Sequence, residues 1–76
     1  GVEVSGHLFM SVFGLPEEPA WCLVRGNVRD WLRQRQIPAL RTPARRGWCI
    51  RSERIGDVIA QAELDGIAVT MRGPLR

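Results

Sequence analysis

The sequence predicts a small α+β domain in which strands and helices follow the order β-α-β-β-α-β, with one extra strand in front. Three observations predict it. Short apolar segments bounded by Gly and Pro alternate with stretches of helical apolar spacing. The composition, 45% hydrophobic and 25% charged over 76 residues, is that of one globular domain and too apolar for a disordered chain. Finally, sliding the chain against itself by 27 residues lays Trp21-Cys22-Leu23 on Trp48-Cys49-Ile50. The same offset pairs Val28 with Ile55, Asp30 with Asp57, Leu32 with Ile59, Gln34 with Gln61, Ile37 with Leu64 and Leu40 with Ile67. Coinciding aliphatic positions weigh more than the identities, because they set the buried face. Duplication of one strand–helix–strand unit explains the match, and so does convergence of two such units.

Each element has a local reason. Residues 7–13 read as the extra strand, and Leu15-Pro16-Glu17-Glu18-Pro19 as a turn-rich link after it. That strand has three open placements: a sheet edge, the uncovered face, or exchange between protomers. The first unit covers residues 20–42. In it, residues 20–25 form an apolar strand that Gly26-Asn27 ends, and Asn27 is the expected N-cap of a helix over 28–36. Val28, Trp31 and Leu32 share one face of that helix, Pro38 stops it, and residues 39–42 return as a strand. Residues 43–47 supply a hairpin loop.

The second unit covers residues 47–72. Residues 47–52 are its strand, and Ser52 is placed to cap a helix over 53–65. Ile55, Val58, Ile59 and Ala62 fall at i, i+3, i+4 and i+7, a buried stripe. Gly66 suits a left-handed helix stop, and residues 67–72 close the unit with Ile67, Val69 and Met71 pointing inward.

This order resembles the ferredoxin-like, split βαβ arrangement, which implies both helices on one face of a four-stranded antiparallel sheet. Facing follows from alternation. Trp48 and Ile50 alternate with Cys49 and Arg51, and a buried Arg51 is costly, so Trp48 and Ile50 are expected against the helices. The repeat extends that expectation to Trp21 and Leu23. Cys22, Val24, Arg41, Cys49, Arg51, Thr70 and Arg72 then line an open face without aromatics. The same symmetry places Cys22 and Cys49 in matching positions on parallel central strands, pointing to one face.

Charge gives the functional lead. The chain carries eleven basic residues, all Arg, and its net charge is +3. Residues 25–54 hold nine Arg against Asp30 and Glu53, while both flanking segments are net acidic. Such a segment is an electrostatic footprint for phosphate, and Arg suits phosphate through its planar fork of donors. The competing explanation for Arg without Lys is a GC-rich genome, which points to a bacterium or its phage. The residues expected to contact nucleic acid are Arg29, Arg33, Arg41, Arg45, Arg46 and Arg51. The alternative is a protein-interaction module, such as a homodimer or a small inhibitor, using a sheet edge or the Arg hairpin.

Other chemistries lack their residues. His7, Cys22 and Cys49 have no CxxC spacing and fall short of a four-ligand zinc site, so no metal or cofactor is expected. Two cysteines do not make a disulfide scaffold. No local signature of a nucleophilic triad is present, and a non-catalytic domain is the expectation. No apolar run is long enough to span a bilayer and no charged leader precedes one, which leads to the expectation of a cytoplasmic protein with reduced thiols.

Overall fold

Between residues 9 and 14, Met10 and Val12 are buried while Phe9, Ser11 and Phe13 are not, the period-two pattern of a strand with one face on a core. This is β1 (Phe9–Gly14) of a computed structural model that describes residues 7–75. The remaining elements are β2 (Trp21–Gly26), α1 (Arg29–Gln34), β3 (Leu40–Thr42), a 3-10 turn (Pro43–Arg45), β4 (Gly47–Arg51), α2 (Ser52–Leu64) and β5 (Ala68–Pro74). The ends of the expected 1–76 domain, residues 1–6 and 76, lie outside the described residues.

The fold is α+β, and the described residues form two helices and one mixed sheet of five strands in the order β3-β4-β2-β1-β5. The four-stranded antiparallel sheet is therefore corrected. The N-terminal strand takes none of its three anticipated placements. It lies inside the sheet, antiparallel to β2 and parallel to β5.

Gly26 and Asn27 show how β1 is held there. Gly26 has φ +145°, and a Cβ at this position would overlap the Phe9 carbonyl. The Asn27 side chain accepts from the Phe9 N–H (2.8 Å) and donates to the His7 carbonyl (3.1 Å). Engaged with β1, Asn27 does not cap α1, whose N-cap is Val28 without a side-chain cap bond. Ser52 likewise does not cap α2; it is the first helical residue, and its hydroxyl donates to the Pro19 carbonyl (2.7 Å).

Both helices end in the same hydrogen-bond pattern. In α1, Gln36 N–H donates to the Arg33 carbonyl (3.1 Å) and Ile37 N–H to that of Leu32 (3.0 Å). In α2, Gly66 N–H donates to Glu63 (3.1 Å) and Ile67 N–H to Ala62 (2.9 Å). Each is a Schellman stop, with a left-handed residue at Gln36 (φ 56°) or Gly66 (φ 79°). The first helix thus stops before Pro38 acts, at a residue whose conformation costs about 1 kcal/mol.

Directly paired residues of antiparallel strands share a face. Val12 opposes Val24, Val24 opposes Trp48, and Cys22 opposes Ile50. These belong to the helix-side face, where Met10, Val12, Val24 and Ile50 pack with Val28, Trp31 and Leu32 around α1, with Val58 and Ala62 of α2, and with Ile67. Trp31 Nε1–H donates to Asp65 (2.7 Å), and Arg35 reaches the same carboxylate (2.7 and 2.9 Å), tying the ends of the two helices together.

The other face carries Phe13 opposite Leu23, Leu23 opposite Cys49, and Trp21 opposite Arg51. Several sequence expectations change here. Trp48 and Ile50 face the helices as anticipated, but Trp21 and Leu23 face away, while Cys22, Val24 and Arg41 move to the helix side. β2 and β4 are antiparallel, so Cys22 and Cys49 lie on opposite faces. Both are free and half-buried. The open face is aromatic after all, through Phe13 and Trp21. The reason is alternation in β2: Arg25 shares the parity of Trp21 and Leu23, and turning those two inward would bury its guanidinium. In β5, Val69 and Met71 lie beside Met10 and Val12 on the helix side as expected, but at this sheet edge Val69 is only half-buried and Met71 is 65% exposed. The β1–β5 register shifts at Val12/Phe13, leaving Arg72 as the extra residue. No helix among the described residues is long and apolar enough to cross a membrane.

Candidate nucleic-acid interface

The short helix α1 buries Trp31 and Leu32 and leaves Arg29 and Arg33 exposed, four residues apart on its outer side. Arg41 reaches the same region from β3. The turn Pro43–Arg45, followed by Arg46 in the left-handed conformation (φ 56°), sets the hairpin register. Thr42 then opposes Gly47, and Arg41 opposes Trp48. The Arg41 guanidinium lies 5.3 Å above the Trp48 ring, and its Nη1 donates to the Gly47 carbonyl at 3.2 Å.

Arg29, Arg33 and Arg41 line an open groove of about 550 Å³ between α1 and β3, floored by Leu32, Ile37, Ala39 and Trp48. None of these residues is acidic. Among the described residues neither Arg29 nor Arg33 is in an ion pair. Three positive charges over an apolar, aromatic floor suit an anion attached to a planar or apolar group.

The other three predicted contacts are elsewhere. Arg45 pairs with Glu18 (3.0 Å), and its own carbonyl accepts two bonds from Arg25 (3.0 and 2.7 Å). The hydrogen bond and charge of Glu18 hold the Arg45 pKa above its ordinary value. Arg46 is exposed at the hairpin tip. Arg51 is exposed on the far face, stacked on Trp21 at 5.1 Å. So the six arginines do not form one face: three converge on the groove and three do not.

Sequence reading assigned Trp48 to the core and missed its place under Arg41. The signal was present in the hairpin, because a four-residue connection from Pro43 to Arg46 puts position 41 across from position 48. Arg25 and Arg35 are engaged within the fold, the first over Phe13 (5.0 Å) and the second with Asp65. The Asp65 carboxyl is held below its ordinary value first by the Trp31 hydrogen bond; desolvation opposes this, and the hydrogen bond and charge of Arg35, with Gln61, lower it further. Among the described residues no group of three or more His, Cys, Asp or Glu gathers to hold a metal ion.

No family model matches the chain, and no curated protein or solved structure matches it either. Function has to be read from the groove.

Proposed function

We propose that this chain is a small non-catalytic binding domain that holds nucleic acid by its phosphates, with Arg29, Arg33 and Arg41 as the principal contacts. The observation that carries the reading is the convergence of these three arginines on one groove with no acidic residue in its described lining. Arg46 and Arg51 add longer-range attraction, and Arg45 contributes less because Glu18 already neutralises it. Binding of this kind is largely independent of sequence and steeply salt-dependent. The element order also supports a finer reading of the fold, a split βαβ sheet opened by β1 between β2 and β5.

The test is a titration of labelled DNA and RNA oligonucleotides at two salt concentrations. The double variant Arg29→Ala/Arg33→Ala is expected to weaken binding to every sequence and to lower the salt slope by about 2. Folded wild-type protein that binds no oligonucleotide at low salt overturns the proposal. The protein-partner reading then takes its place. It draws support from the seven-residue β5, an edge strand exposed at every residue but Val69.

A further inference from the structure

We infer that the ligand of this groove is single-stranded, with one base stacked on the Arg41 guanidinium; this rests on the nucleic-acid reading above. The stack is half built in the protein. The Arg41 guanidinium sits over the Trp48 ring, 5.3 Å from its centroid, and Arg41 is exposed and lines the groove, so the side of the guanidinium away from Trp48 is open to whatever enters. A base placed there extends a three-layer stack, the arrangement by which unpaired bases are held on Arg planes and aromatic rings.

The dimensions favour a single strand over a duplex. A groove of about 550 Å³ is in the range of pockets that enclose small organic ligands, and it admits a base with its sugar. Stacked bases inside a duplex present only their edges, so a duplex meets the charges of the groove without offering a base face to Arg41. Reading a duplex groove calls for an inserted helix or ribbon, whereas α1 has six residues and buries one side against the sheet. Arg29 and Arg33, about 5–6 Å apart at Cβ on one helix face, hold the phosphates that flank the stacked base. Arg46, exposed at the tip of the hairpin that β3 leads into, continues the positive charge past the groove. That extension favours a strand over an isolated nucleotide.

Fluorescence anisotropy with three labelled probes of about twelve units tests this. The probes are a single-stranded DNA, the same strand carrying abasic sites throughout its middle, and its duplex. Wild-type protein is expected to bind the intact strand about tenfold more tightly than the abasic strand, and more tightly than the duplex. Arg41→Lys keeps the charge but loses the planar surface, and is expected to bring the ratio of intact to abasic affinity from about tenfold to about one. Circular dichroism confirms that the variant is folded, and the wild-type comparison decides the matter if it is not. Equal wild-type binding of all three probes overturns the stacking inference and leaves the phosphate reading standing. No binding of any probe overturns both.

Discussion

Two guanidinium-on-indole stacks sit on opposite faces of one sheet, Arg41 over Trp48 at 5.3 Å and Arg51 over Trp21 at 5.1 Å. As pairs they are nearly identical. Their settings differ. Arg41 and Trp48 lie beside a helix whose Arg29 and Arg33 turn the space between into a charged groove. Arg51 and Trp21 lie on the open face, where the neighbouring Arg25 is drawn onto Phe13 and the Arg45 carbonyl. A stacked pair becomes a candidate site only where the fold adds concavity and unspent charge to it. Three of the arginines use the guanidinium as Lys could not do equally well, placing it over the rings of Phe13, Trp21 and Trp48 at 5.0–5.3 Å from the centroids.

The largest effect expected from contrasting the faces is on stability. Ile50 and Leu23 are both fully buried, but Ile50 sits in the core beneath the helices and Leu23 among Phe13, Trp21, Arg25 and Cys49. Ile50→Ala is expected to cost about 4 kcal/mol and Leu23→Ala about 2–3 kcal/mol, because side chains without a covering layer can close over the space. Urea denaturation measures both, and equal losses would erase the energetic distinction between the faces. A smaller effect separates the two stacks in binding. Arg41→Ala is expected to weaken single-strand affinity about tenfold and Arg51→Ala less than about twofold. The reverse order in an anisotropy titration would move the site to the open face.

The smallest effect concerns acid. Trp31 and Arg35 hold the Asp65 carboxyl below its ordinary pKa. A depressed carboxylate stabilises the folded state fully above its unfolded pKa of about 3.9, and that stability is lost as pH falls through the lower folded value. Melting temperatures recorded from about pH 6 to pH 2 should therefore fall more steeply for wild type than for Asp65→Asn. Parallel curves would show that the link between the helix ends does not depend on this charge.

The helices were legible in the sequence because 3.6-residue spacing and the stop at Gly66 are local signals. The hairpin was legible from Pro43 to Gly47 for the same reason. The place of β1 was not, since strand order depends on pairing between residues far apart, here Phe9 with Ala68. The offset of 27 residues misled in a specific way. It equates Trp21 with Trp48, but facing follows the helix-side pairs Cys22/Ile50 and Val24/Trp48 of antiparallel strands. The parity of Arg25 carried the correction, as Arg51 did for β4. At the site, composition located the charge and the repeat suggested no groove. Grouping Arg29 and Arg33 with Arg41 required the packing of α1 beside β3.

With β1 between β2 and β5, the first of the described strands is the template for the last. β5 reaches the sheet only through β1, which it meets in parallel across nearly the full sequence separation. Such distant pairing raises the contact order and slows folding. During synthesis β2, α1, β3 and β4 are available early, but the sheet stays incomplete until β5 has left the ribosome. Until β5 pairs, the β1 edge stays open, and a neighbouring strand can compete with β5 for it.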